Sequence, residues 1–304
     1  MTNNKKYIPP HLRTSNSKTT SQCWKKTLDS PSTARAPSRK QGITPSVLFF
    51  GDSFVRLFGL IDNPNIKVRA FKGASAKGIG RDGNGNRTEI LQQVQQLQPD
   101  RVVLCFGNVD VHLSYYYTKY GTDGPTIDLR AVAQKYVEFA ATLPVNRVHI
   151  VGVYPSPLSE ENVAPSLRAY HAISHDTVVS QEDICIHNRQ RRVQNFNQML
   201  QQECEKTSVA FDSAFSEMVD CRTNALKPAF QDVSLYNIHV VWETTILVWL
   251  QRWQWLRKHT PRDFEEKIQG TLKEYLRTKP WAITTHPAAN IGVGEAFDVT
   301  RTET

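Results

Sequence analysis

The sequence predicts an α/β fold built on a parallel sheet covered on both faces, and three observations carry that expectation. Short all-apolar runs, Val47-Leu48-Phe49-Phe50 and Val102-Val103-Leu104-Cys105-Phe106, read as strands buried on both sides. From residue 46 such runs alternate with stretches of helical apolar spacing. Each run also stops at a glycine-containing polar segment, Gly51-Asp52-Ser53 and Gly107-Asn108-Val109-Asp110, at the carboxyl edge where open α/β sheets bind ligands.

Taken in order, the first strand is followed by a short helix over Phe54 to Leu60 and an alternating second strand over Ile66 to Phe71. A glycine-rich loop runs from Lys72 to Gly80. Ile90, Leu91, Val94 and Leu97 space a helix over Arg87 to Leu97, ended by Pro99-Asp100. Arg101 to Phe106 is the next strand, Leu129 to Leu143 a helix, and Arg147 to Tyr154 a fourth strand. Residues 158 to 187 lack clear periodicity and are expected to form a long loop or insertion over the carboxyl edge. Arg189 to Glu205 reads as a helix, Ser208 to Phe211 as a short last strand, and Trp242 to Leu256 as the most apolar helix, its tryptophans suited to packing. A polar helix near Arg262 to Arg277 and a loose end follow. The expected organisation is a tail (1–45), a domain (46–258) and a helical extension (259–304).

Charge separates the tail from the rest. Residues 1–45 hold nine Lys or Arg and one acid, whereas the remaining 28 basic and 28 acidic residues cancel. The tail is rich in Ser, Thr, Pro and Lys and cannot bury enough surface to offset its chain entropy, so disorder is expected. Its flexible cations, without interleaved aromatics, would give only weak, salt-sensitive attraction to nucleic acid. One block differs, Lys6-Tyr7-Ile8-Pro9-Pro10-His11-Leu12-Arg13, which suits docking in a partner's groove. It resembles the Tyr-Ile-Pro-Pro-His-Leu-Arg segment of some DEAD-box RNA helicases, which implies contact with translation-initiation or RNA-granule proteins. No run reaches membrane-span length and the first residues lack an apolar signal core, so a cytoplasmic location is expected. Five scattered cysteines without CxxC spacing read as reduced thiols.

Ser53, at the end of the first strand, is placed to act as a nucleophile, but a serine hydroxyl needs a base to take its proton, and His serves near neutral pH. A developing oxyanion needs donors already aimed at it. Phe50-Gly51-Asp52-Ser53, Gly73-Ala74-Ser75, Gly107-Asn108-Val109-Asp110 and His239 stand in the order of the blocks of the SGNH (GDSL-type) hydrolases, which the chain resembles over about residues 46–258. The resemblance implies a flavodoxin-like three-layer fold and ester hydrolysis without a cofactor. It implies Ser53 as nucleophile, His239 as base and the Ser53 and Gly73 amides as oxyanion donors. Asn108, Asp52 and Asp110 complete the candidate substrate side, with Asp110 alternatively holding the loop after its strand.

Two positions depart from the family pattern. Val109 stands where the third block has its Asn, and Tyr236 stands where the last block has an acid three residues before the His. The nearest upstream acid is Asp232, so His239 is oriented by Asp232, by a backbone carbonyl or by neither; the alternative reading of His239 is a core or capping histidine.

Other features stay open at this level. His112 is a second candidate base or a solvent-facing loop residue. The Tyr115-Tyr116-Tyr117 run with Tyr120 lines a pocket for a sugar or planar group, or packs the insertion. Arg189, Arg191 and Arg192 form a solvated face or meet an anion. His171, His175 and His187 with Asp176 and Asp183 fit no helical ligand pair, so no metal is indicated. The loop from Gly73 to Gly85 lacks the Gly-Lys-Ser/Thr of a phosphate-binding P-loop. Two functions follow: a serine esterase acting on an acyl or acetyl ester of a lipid, glycan or small molecule, or an inactive binding module recruited through its tail.

Overall fold

The computed structural model of the chain describes residues 45–231 and 237–278. The tail with its block at 6–13, Asp232, Tyr236 and the chain end from 279 lie outside the described residues. Five strands, β1 (Val47–Gly51), β2 (Ile66–Ala70), β3 (Arg101–Cys105), β4 (Val148–Val151) and β5 (Ala210–Asp212), form one sheet in the order β2-β1-β3-β4-β5. All pairings are parallel, with Val47 opposite Ile66 and Arg101, Val102 opposite Val148, and His149 opposite Ala210. That order is the flavodoxin-like one.

The helices are α1 (Ala76–Ile79), α2 (Gly85–Leu97), α3 (Tyr115–Tyr120), α4 (Leu129–Ala141), α5 (Glu160–Ala169), α6 (Gln181–Ile184), α7 (Ile186–Cys204), α8 (Phe215–Met218), α9 (Trp242–Arg252), α10 (Gln254–Arg257) and α11 (Phe264–Thr278). A 3₁₀ helix (Ser53–Leu60) follows β1 directly. Alternation along the strands divides the core between the two faces. Leu48, Phe50, Val102, Leu104 and Ile150 pack with residues of α2, α4 and α7. Val47, Phe49, Val103, Cys105 and Val151 pack with the 3₁₀ helix, α9 and Phe264 and Ile268 of α11. Burying each large apolar side chain in these layers contributes about 1.5–3 kcal/mol. No helix among the described residues is long and apolar enough to cross a membrane.

Two elements differ from the sequence-based expectation. The segment 158–187 carries α5 and α6 instead of one long loop. The missed signals are local caps: Ser159 precedes Glu160-Glu161, and the Ser180 hydroxyl accepts the Asp183 N–H at 3.3 Å. The expected helix over Trp242 to Leu256 breaks at Trp253. Positions two apart point to different sides of a continuous helix. The break lets the Trp253 and Trp255 rings stack at 5.1 Å, with Trp249 and Trp253 at 4.3 Å.

Candidate active site

The carboxyl end of β1 makes a tight elbow. A Cβ at Gly51 would stand 2.4 Å from the Cys105 carbonyl oxygen and 2.6 Å from Val55 Cβ, so only glycine lets β1, β3 and the 3₁₀ helix approach this closely. Asp52 caps the 3₁₀ helix, its Oδ1 accepting the Phe54 N–H at 2.9 Å. Ser53 is thereby the first helical residue, whose N–H has no intrahelical acceptor. Its side chain stays partly exposed between buried neighbours.

Ser53 Oγ lies 2.6 Å from His239 Nε2, although 186 positions separate the two residues. The other ring nitrogen, Nδ1, lies 2.6 Å from Asn237 Oδ1, which also accepts the His239 backbone N–H at 3.0 Å. An oxygen that takes that backbone N–H is an acceptor, so Nδ1 carries the ring proton and Nε2 offers its lone pair to the serine hydroxyl. The Phe54 and Trp242 rings flank the imidazole at 4.5 and 6.3 Å. Burial, reinforced by the charges of Arg56 and His112, pushes His239 down to about 3. The imidazole is therefore neutral at physiological pH.

Asn237 is the residue that sequence reasoning missed. The family pattern points to an acid three residues before the histidine, whereas here an Asn two residues before it reaches both the ring and the backbone as an Asx-type turn. Its spacing from His239 was the available signal.

The glycine-rich loop is tied to the third motif. Gly73 adopts φ of +70°, a left-handed conformation that favours glycine. Ser75 caps α1 by accepting the Gly78 N–H at 3.0 Å. Asp110 accepts the Ala76 and Lys77 N–H groups at 2.6 and 3.2 Å, and so fastens the segment after Gly73 to the end of β3. Burial raises Asp110 to about 6 against the pull of those amides.

Asp52, Asn108 and Asp110 are turned inward, at 0, 1 and 0% exposure. Asn108 Nδ2 reaches Asp52 Oδ2 at 3.3 Å, while its Oδ1 accepts the Tyr154 N–H at 3.0 Å. Both ends of the Asn108 side chain are thus engaged within the fold, and none of the three presents itself to a ligand as the sequence placed them. Burial lifts Asp52 to about 7 although Phe54, Asn108 and Val109 donate to it.

His112 is buried, not solvent-facing. Its Nε2–H donates to the Tyr154 carbonyl at 3.0 Å, and burial pushes it down to about 4. The tyrosines pack the insertion: the Tyr115 and Tyr120 hydroxyls donate to the Asp183 carboxylate, and Tyr116 donates to the Asp183 carbonyl at 2.9 Å. Lys119 and Arg192 pair with the same carboxylate at 2.6 and 2.9 Å. Burial would raise Asp183, but these partners, Lys119 foremost, hold it below the usual carboxylate range. Arg189 is buried and donates to Ser156, Leu158 and Ile184, so only Arg191 of the basic cluster is exposed. His112, Tyr116, Ser156, Arg189 and Ile238, the neighbour of His239, border a cavity of about 10 Å³, room for one water-sized sphere.

No family model and no curated protein matches the chain. Among solved structures it is similar to a GDSL-like lipase from Bacteroides thetaiotaomicron, with 15% identity over 70% of this chain and 87% of that one, at a TM-score of 0.44. It is also similar to a carbohydrate acetylesterase from Sinorhizobium meliloti, with 14% identity over 76% of this chain and 99% of that one, at a TM-score of 0.40. An acetylxylan esterase from Geobacillus stearothermophilus matches at 14% identity over 69% of this chain and 95% of that one, at a TM-score of 0.38. These three solved structures are thus of a GDSL-like lipase and two acetyl-ester hydrolases.

Proposed function

We propose that the chain is a serine esterase that cleaves a carboxylic ester, an acyl or acetyl ester of a lipid, glycan or small molecule. The observation that carries this reading is the contact between Ser53 Oγ and His239 Nε2 at 2.6 Å, with Asn237 fixing the tautomer that the base requires. Ser53 Oγ attacks the ester carbonyl as its proton passes to Nε2. The Ser53 and Gly73 N–H groups hold the oxyanion, each such donor being worth about 3 kcal/mol of barrier. The Nε2 proton then goes to the departing alkoxide, and water repeats the sequence on the acyl-enzyme.

Asn237 orients the ring as a carboxylate would but supplies no negative charge to the imidazolium that forms during attack. With Arg56 also opposing that cation, the base is weak and acylation is slow. The same observation favours a second reading, a binding module of this fold that has lost turnover and is recruited through residues 6–13. Hydrolysis of p-nitrophenyl acetate and butyrate by the purified full chain, compared with Ser53→Ala, separates the two. Serine-dependent release of p-nitrophenol supports the esterase; equal release from both proteins leaves the binding module.

A further inference from the structure

The opposite edge of the sheet, where β1, β3 and β4 begin, holds a cavity of about 500 Å³. Gln98, Arg101, Asn146, Arg147, Trp255 and His259 line it. This volume falls in the range of sites for small molecules and cofactors. It is far too large to be a packing defect.

Its charge is the informative property. Arg101 is buried, with its guanidinium 4.1 Å from the centre of the Trp255 ring and one nitrogen against His149 Nε2. The His149 Nδ1–H in turn meets Asp212 at 3.2 Å. Arg101 is thus clamped by an indole and an imidazole; burial and the neighbouring Arg147 disfavour its charge, and Asp212, beyond His149, favours it only in part. Among the described residues no carboxylate lies within ion-pairing distance of Arg101 or Arg147, although Asp100 also lines the cavity. A buried cation with no carboxylate in direct contact is costly, and an anionic ligand relieves it. Trp255 and His259, both partly exposed, add planar faces, and the exposed Gln98 and Asn146 add amide donors and acceptors. Two cations, planar rings and amides in one cavity match a phosphate joined to a heteroaromatic base. The excess of eight positive charges in residues 1–45 joins the described chain at Pro45, beside the lining residue Ser46.

We propose that this cavity binds a phosphorylated nucleoside, with Arg101 and Arg147 on the phosphate and Trp255 and His259 beside the base. The ligand is either a free nucleotide or a nucleotide within single-stranded RNA, where the basic sequence adds phosphate contacts. The site is independent of Ser53.

The test uses the full chain, titrated with AMP and UMP by tryptophan fluorescence and with a fluorescein-labelled single-stranded RNA by anisotropy. Arg147 is exposed, so Arg147→Glu leaves the core intact; Arg147→Gln is the milder second variant, and circular dichroism checks both. The proposal expects saturable mononucleotide binding to wild type, weakened about tenfold or more by Arg147→Glu. Replacing the nine Lys and Arg of residues 1–45 with Gln leaves the mononucleotide affinity unchanged. If that tail variant also weakens RNA binding, the RNA source is supported; if RNA binds no tighter than AMP, the free nucleotide is. Absence of mononucleotide binding, or binding indifferent to both Arg147 variants, overturns the proposal. RNA binding that depends on the tail alone overturns it too.

Discussion

The two halves of the candidate site are held in opposite ways. On the serine side every support is part of the buried fold: Gly51 against Cys105, Asp52 on the Phe54 amide, Asn108 on Asp52, and Asp110 on the Gly73 loop. On the histidine side the ring rests on one neighbour, Asn237, and on the Phe54 and Trp242 rings. The fold positions the proposed nucleophile, whereas a two-residue turn positions the proposed base. Substitutions around Ser53 should therefore disturb folding and chemistry together, and those at Asn237 should disturb chemistry alone.

The largest effect expected is on turnover. Ser53→Ala and His239→Ala should each lower kcat for an aryl ester by about 10⁴ or more, and the double variant should be no worse than either, because the two act as a unit. A melting temperature close to wild type in both would mark the loss as chemical.

Asp110→Ala tests the serine side. It strands the buried Ala76 amide, an unsatisfied donor costing about 1–3 kcal/mol, frees the half-buried Lys77 amide, and unfastens the Gly73 loop. Urea unfolding should show the lost stability, and kcat should fall with little change in KM. Unchanged stability would remove the contrast between the two halves.

Asn237→Asp sharpens the contrast from the other side. A carboxylate on Nδ1 raises the His239 pKa and supports the imidazolium, so kcat should rise about tenfold, whereas Asn237→Ala should lower it. A wild-type rate that exceeds the Asp variant would show that charge on the base is not limiting.

The smallest effect is in pH dependence. With His239 pushed down to about 3, the acid limb of kcat/KM lies well below the ordinary histidine value, and Asn237→Asp should move it upward. For stability, the unfolded chain protonates His239 near 6.5 while the folded chain resists until about 3, so this residue removes stability as pH falls below 6.5. Asp52 and Asp110 act with the opposite sign. Their folded values, about 7 and about 6, exceed the unfolded 3.8, so their contribution is greatest below 3.8 and is lost as pH rises through those values. Between pH 7 and 5 these contributions oppose one another, and removing His239 leaves only the gain, so the melting temperature of His239→Ala should change more favourably than that of wild type.

Much of the serine side was legible in the sequence because it is made of local signals. Val47 to Phe50 is apolar at every position, and Gly51-Asp52-Ser53 stops it at the edge where open sheets bind ligands. The approach of His239 to Ser53 was accessible only through the order of the motifs, since no local property links residues 186 positions apart. Asn237 is not legible in advance because an Asn beside a histidine is ordinary turn chemistry, and only the folded turn shows its oxygen on the ring. His112 looked exposed because it is polar, yet its neighbours Val111 and Leu113 are buried and carry it inside. For the tyrosines the sequence leaves a pocket and packing of the insertion side by side, because their common partner, Asp183, comes from a segment without clear periodicity.

The most direct test of the central claim, an activated Ser53, is labelling of the full chain by a fluorescent fluorophosphonate, with Ser53→Ala and His239→Ala in parallel. Labelling of wild type that disappears in both variants is the predicted result. No labelling of wild type, or labelling that survives His239→Ala at the same rate, would contradict it.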